Sequence, residues 1–168
     1  MRQKIGVIVL ILFPLLALCG LFWFLHVKHQ LPTHITNKER MPLEFKDNTV
    51  TCALCGMYLV GKKHTAQIIT SDLKTHFFDD IGCAIVWLKE HKIEPETITF
   101  WVFSHESNHY IDAQKASYTF TEETPMLYGF VAYESPKEGM IDFQEMRLRM
   151  LRGETMSDPK IRQRLKGH

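Results

Sequence analysis

The chain has 168 residues, with 20 Lys and Arg against 19 Asp and Glu, a formal net charge of +1 at pH 7. That length suits about one folded domain, and the near balance of charge removes the bulk electrostatic case for nucleic acid as a partner. Apolar content is ordinary, but a large share of it lies in the first segment.

That segment, residues 5–27 (IGVIVLILFPLLALCGLFWFLHV), carries no formal charge. As a helix rising ~1.5 Å per residue it would span roughly 35 Å, enough for the hydrocarbon of a bilayer. Arg2 and Lys4 precede it, which favours a cytoplasmic N-terminus and an extracytoplasmic remainder; Lys28, Lys38 and Arg40 beyond it pull the other way. Pro14 is compatible with a transmembrane helix. An uncleaved anchor, a cleaved signal peptide and a lipoprotein signal ending at Cys19 all compete for this stretch. Leu18 before that cysteine, and the apolar run continuing from Gly20 to Leu25, favour the anchor.

Residues 29–48 mix Pro32 and Pro42 with Lys, Glu and Asn and read as a tether. Folding is expected from Thr49. Residues 64–70 read as a strand and 74–78 as its hairpin partner, joined by the turn-prone pair Ser71-Asp72. Asp80 is placed to cap a helix over IGCAIVWLKEH, with Ile81, Ala84, Ile85 and Leu88 at helical spacing. Pro95 follows in a loop, and residues 98–103 form a third strand rich in β-branched and aromatic side chains. YIDAQKASYTFT reads as a short turn and a strand, and Pro125 opens a further strand over MLYGFVAYES. Asp142 caps a last helix with Glu145 at the capping-box position and Phe143, Met146 and Met150 on one face. Beyond Gly153 the chain is polar and basic and reads as frayed. The order predicts an α+β fold with a small, mostly antiparallel sheet. Asp80 and Asp142, each opening a helix after an extended segment, suggest two similar halves.

The chemistry centres on Thr51-Cys52-Ala53-Leu54-Cys55-Gly56-Met57. Two cysteines separated by two residues can aim both sulfurs at one point around a tight turn, and Gly56 permits the positive φ such a turn needs. Met57 adds a thioether. Soft thiolate and thioether ligands favour Cu(I), whereas zinc does not usually recruit methionine. Three cysteines outside the apolar segment are an odd number for an oxidising compartment, where cysteines pair. Other readings stand beside copper: a structural disulfide, a thioredoxin-like redox pair, which requires a βαβ setting, or a zinc knuckle completed by Cys83 with His76 or His64. A c-type haem site would need His where Gly56 stands.

Cys83 lies in the first turn of its predicted helix. It reads either as a thiol with a lowered pKa or as a core residue on an apolar face. Met126 reads as packing from its position alone, as do Met146 and Met150. Asp79 and Asp80 read as paired catalytic carboxylates or, better, as a capping residue and its neighbour. His105 and His109 flank a polar loop, as surface residues or as copper ligands. G-x-S-x-G, P-loop and H-E-x-x-H patterns do not occur, which removes the commonest hydrolase and nucleotide-binding classes.

The ordered set CALCGM, AQI, FFDDIGC, FWVF, YIDAQKASY and PMLYGFVAY, spanning roughly residues 50–135, resembles the NosL-type family of nitrous oxide reductase accessory proteins. The resemblance implies a non-enzymatic copper chaperone on the periplasmic side of the inner membrane. It implies a fold of two small ββαβ units, and Cu(I) held by Cys55 and Met57 with Cys52 close by. It raises Met126 as a further ligand; Cys83 completes the candidate set. It also implies a copper enzyme as client, nitrous oxide reductase or a relative, and a membrane ABC-type assembly partner. The expected division is a cytoplasmic N-terminus and anchor over 1–28, a linker over 29–48, the metal-binding domain over 49–153 and a basic tail over 154–168. The rival classes are a thiol–disulfide oxidoreductase and a structural zinc module of a membrane complex.

Overall fold

The computed structural model describes residues 12–24 and 34–167. The chain divides into two units, Met1–Leu31 and Pro32–His168. In the first, residues 12–24 are helical (α1), with Phe13, Phe22 and Trp23 exposed. Among the described residues no helix is long and apolar enough to cross a membrane; the rest of the 5–27 segment lies outside the described residues.

The second unit is α+β and its paired strands are all antiparallel. Its elements are β1 (His34–Thr36), β2 (Ala66–Ile69), β3 (Lys74–Phe78), α2 (Ile81–His91), a 3-10 turn (Pro95–Thr97), β4 (Thr99–Phe103), β5 (Tyr110–Asp112), β6 (Ser117–Thr119), β7 (Val131–Tyr133), α3 (Phe143–Arg152) and α4 (Pro159–Lys166). A five-stranded sheet runs β1-β3-β2-β4-β5, and β6 and β7 form a second, two-stranded sheet.

Helix α2 forms where its caps and its apolar face agree. The Asp80 carboxylate accepts from the Gly82 N–H at 2.9 Å, and Lys92 closes the helix in the left-handed region at φ 55°. Ile81, Ala84, Ile85 and Leu88 are all buried, packed with Ile68, Phe77 and Phe78 of the sheet. Each of the larger side chains among them contributes about 1.5–3 kcal/mol, against about 1 kcal/mol for a cap. Burial therefore holds the helix in place and the cap decides where it starts. The ion pairs between side chains, such as Lys74–Asp72 and Arg149–Glu145, are at least partly exposed and worth roughly 0–1 kcal/mol each.

Several sequence expectations change. Residues 34–48, read as tether, join the fold. β1 pairs with β3, buried Asn37 donates to the Met41 carbonyl at 2.6 Å and to Thr75 Oγ1 at 3.0 Å, and the Gln67 amide bonds both the N–H and the C=O of Leu43. Polar side chains here satisfy backbone groups at the sheet, so their polarity does not mean solvent. The strand expected from Met126 is confined to Val131–Tyr133, because Leu127 (φ 55°) and Gly129 (φ 93°) turn the backbone out of the extended region. Thr124 Oγ1 accepts from the N–H groups of Tyr128 and Gly129. A Cβ at Gly129 would come within 2.8 Å of the Phe120 carbonyl oxygen, so glycine is required there.

The frayed tail is instead ordered into a helix, α4. Its side-chain cap is Asp158 and Pro159 stands at its first position, a pairing that starts helices; Thr155 and Met156 before it are buried. The duplication holds by half. β2, β3, α2 and β4 make one ββαβ unit, while β6, β7 and α3 are followed among the described residues by a helix, not a strand.

His76 on β3 lies against the Trp87 ring at 4.6 Å. Burial holds its pKa at about 4 rather than 6.5, and does the same to His64. The unfolded chain takes up these protons near the ordinary histidine value and the folded chain only at the lower one. Stability is therefore complete above about pH 6.5 and is lost as the pH falls toward about 4. Urea midpoints measured at about pH 7 and 5 should differ in that direction, and His76→Gln should shrink the difference; an unchanged gap would remove His76 from the account.

Candidate metal centre

Three pieces of chain converge at one end of the five-stranded sheet. The first is the turn carrying the two spaced cysteines. Its flanks are tied by a bridge between Thr51 and Tyr58, by Cys52 N–H to the Met57 carbonyl at 2.8 Å, and by Gly56 N–H to the Cys52 carbonyl at 3.0 Å. Gly56 takes φ 75°, as that tight reversal requires. The Ala53 N–H donates to the Phe77 carbonyl at 2.8 Å, which docks the turn on the end of β3. The second piece is the Asp79-Asp80 step that leaves β3. The third is the first turn of α2, which carries Cys83. The ring of Tyr128 lies where a Cβ at Gly82 would sit, so glycine at that position lets the loop after Pro125 close over this turn.

The Sγ atoms of Cys52, Cys55 and Cys83 and a carboxylate oxygen of Asp79 all lie within 4.8 Å of one another. Ligand atoms about 2.3 Å from one ion are roughly 3.8 Å apart, so a small contraction closes the set around a metal. Cys52 and Cys83 are buried and Cys55 is exposed. The Cys55 thiol donates to Asp79 Oδ1 at 3.5 Å, while Asp79 Oδ2 is buried without a partner. A buried carboxylate oxygen with no donor costs stability and suits an atom held ready for a cation.

The thiols are not equivalent. Cys52 has a lowered pKa because the Cys83 thiol donates to it, against the opposing effect of burial. Cys83 is correspondingly raised, first by that hydrogen bond and then by burial. Burial, with the charges of Cys52 and Asp79, pushes Cys55 up to about 12. The lowered thiol is thus Cys52, and of the two readings of Cys83 the structure favours the buried core residue over the lowered thiol. A thiolate stabilised by a neighbouring S–H wins over the few tenths to 1 kcal/mol a helix end supplies.

No protein-family model matches the chain, and no curated protein matches it. Among solved structures it is similar to the crystal structure of the copper chaperone NosL from Shewanella denitrificans, with a TM-score of 0.44 and 17% identity over 64% of this chain and 87% of that one.

Met57 is 41% exposed and lines, with Asp79, His64 and Pro125, a cavity of about 170 Å³. Met126 follows Pro125, is half-buried against the core, and donates its backbone N–H to Asp80 Oδ2 at 3.4 Å. The structure thus brings Cys52, Cys55 and Cys83 to one point, sets Met57 on a cavity wall shared with Asp79, and leaves Met126 on the adjoining loop. Met146 and Met150 are core, as their spacing suggests. The histidines weighed as zinc ligands beside Cys83 are not in the cluster: His76 lies tilted against Trp87 and His64 against His105. His109 is exposed, 3.8 Å from Glu134.

Asp79 is the member of the cluster to which sequence reasoning gave no ligand role. The signal was the doubled aspartate before a helix, where only one residue can cap. Asp80 does so, buried and raised to about 6, which leaves Asp79 free to face the thiols.

Proposed function

We propose that the chain is a membrane-anchored, non-enzymatic Cu(I) carrier facing the periplasm or an equivalent space, where it supplies copper to a copper enzyme during assembly. The observation that carries this reading is the convergence of three thiols with only Cys55 open to solvent and the Met57 thioether exposed beside them. Soft sulfur donors suit Cu(I). An ion held by buried sulfur on one side and reachable through Cys55 on the other passes to a partner by ligand exchange, without unfolding. Residues 5–27 serve as the anchor in this reading. The sequence resemblance makes nitrous oxide reductase, or a related copper enzyme, the client and an ABC-type membrane complex the assembly partner.

One observation favours a second reading. Asp79 completes a Cys3Asp set of four ligand atoms, which is the coordination number of a structural zinc site. The redox reading is weaker on chemical grounds. Thiol–disulfide exchange needs an accessible thiolate, and the accessible thiol, Cys55, is raised to about 12.

The test is a titration of the reduced full-length chain with Cu(I) and with Zn(II) against competing chelators, with ligation read by X-ray absorption. Preference for Cu(I) with sulfur neighbours is expected. Preference for zinc, with loss of fold on chelation, would replace the carrier by the structural module. Met57→Leu should weaken Cu(I) retention on the order of 10-fold and leave zinc retention unchanged. Equal Cu(I) retention in that variant would remove the thioether from the site.

A further inference from the structure

His64, on the wall of the same cavity, and His105 behind it form a pair of side chains that the thiol cluster does not use. The rings of His64 and His105 lie 4.8 Å apart between centroids, tilted by 49°. His64 Nδ1 and His105 Nε2 are both buried, and neither has a hydrogen-bond partner. His64 also lines the cavity on which Met57 and Asp79 lie.

Packing alone does not account for this pair. Two apolar rings would fill the space without orphaned nitrogens, and buried unpaired polar atoms are rare because they cost stability. The backbone of His64 adds a second cost. It sits at φ 125°, a region that L side chains seldom occupy and that clusters at functional sites.

Both residues are nevertheless held in place by their surroundings. The chain after His64 is pinned by Thr65, whose N–H and hydroxyl both donate to the Lys62 carbonyl and whose Oγ1 is 2.7 Å from the Tyr110 hydroxyl. His105 is fixed by its own N–H donating to the Ala132 carbonyl at 3.0 Å and by edge-on contact with Tyr133. Burial keeps both imidazoles below their ordinary pKa, His64 at about 4, so each offers a free lone pair at neutral pH.

We infer that His64 and His105 form a second, imidazole-based binding point for a copper ion, joined to the thiol cluster's surroundings through the cavity wall that His64 shares with Met57 and Asp79. Imidazole binds both copper and zinc. Two nitrogens with a thioether nearby suit Cu(I), which accepts low coordination, better than Zn(II), which takes four ligands. The site takes the same cargo as the carrier reading and rests on that reading only for the choice of copper. In that setting it is a stop between solvent and the thiols, from which an ion moves by exchanging nitrogen for sulfur ligands.

The experiment uses the reduced full-length chain, ¹⁵N-labelled on histidine and titrated anaerobically with Cu(I) alone. Imidazole nitrogen shifts and X-ray absorption follow each addition. The expected result is uptake of about two ions. The second should move the His64 and His105 nitrogen resonances and add nitrogen neighbours. His64→Asn, chosen because asparagine tolerates positive φ, and His105→Gln should each reduce uptake from about two ions to about one, without the nitrogen neighbours. The wild-type shifts need no variant and decide the question if either variant misfolds. Uptake of a single ion with only sulfur neighbours, or of a second ion with only sulfur neighbours and unmoved histidine resonances, would overturn the inference. A chain that binds through the histidines but takes no ion at the thiols would refute the carrier site and leave this one standing. The reverse pattern would refute this site alone.

Discussion

Replacing Cys55 with serine should weaken Cu(I) binding by about 100-fold or more while leaving the domain folded. Loss of a group that merely supports a metal ligand costs roughly 10–100-fold, and Cys55 is a ligand in the proposed site. Its thiol is the exposed member of the cluster, so a near-isosteric change there removes no core packing and should alter stability by no more than about 0.5 kcal/mol. The serine hydroxyl is a harder donor than sulfur and does not replace the thiolate for Cu(I).

The pH dependence carries its own sign. Cys55 is raised to about 12 and Cys83 is raised by its bond to Cys52, so both hold their protons in the metal-free protein. Cys52 is lowered and is the first to ionise. Loading an ion must expel the protons of Cys55 and Cys83, so affinity rises with pH by about one logarithmic unit per displaced proton. Cys55→Ser should lower that slope by about one. Chelator competition at several pH values measures both effects. Undiminished affinity, or an unchanged slope, would take Cys55 out of the site.

Tyr118→Ala should destabilise the second unit by about 4 kcal/mol and leave the metal chemistry of the folded fraction intact. Tyr118 is fully buried. It pairs with Ala132 across β6 and β7, bridges to Ile141 through both of its backbone groups, and donates its hydroxyl to the Ala113 carbonyl at 2.6 Å. Its ring packs toward Phe143 at 6.4 Å, where α3 meets the small sheet. Truncation opens a cavity at that junction and orphans a carbonyl, which adds about 1–3 kcal/mol of its own. A fall in melting temperature of roughly 10 °C or more follows, whereas Tyr118→Phe, which loses only the hydroxyl, should cost about 1–2 kcal/mol. A shift under about 3 °C for the alanine variant would mean the small sheet contributes little to cooperativity. Set beside Cys55→Ser, the two variants separate binding without stability from stability without binding.

Local signals read in the sequence proved accurate where one residue does one job. Asp80 and Asp142 cap the helices they were assigned, the hairpin partner occupies Lys74–Phe78, and Ile81, Ala84, Ile85 and Leu88 face the core. Polarity misled where a polar side chain serves the backbone. Asn37 and Gln67 stitch the expected tether to the sheet. Two positive-φ residues cut short the strand after Met126, since hydrophobic patterning says nothing about a left-handed backbone.

The sequence by itself determined the spacing of the two cysteines, the soft-ligand character of Met57 and the succession β2, β3, α2, β4, because these depend on residue type and near neighbours. Only the tertiary structure decided that Cys83 joins Cys52 and Cys55, that Asp79 faces them while Asp80 caps, and that Cys52 is the lowered thiol. Those outcomes depend on distances of a few ångströms between residues as many as 31 positions apart. Such distances are set by the docking of the 52–57 turn on β3 and of α2 on the sheet, which no local pattern encodes.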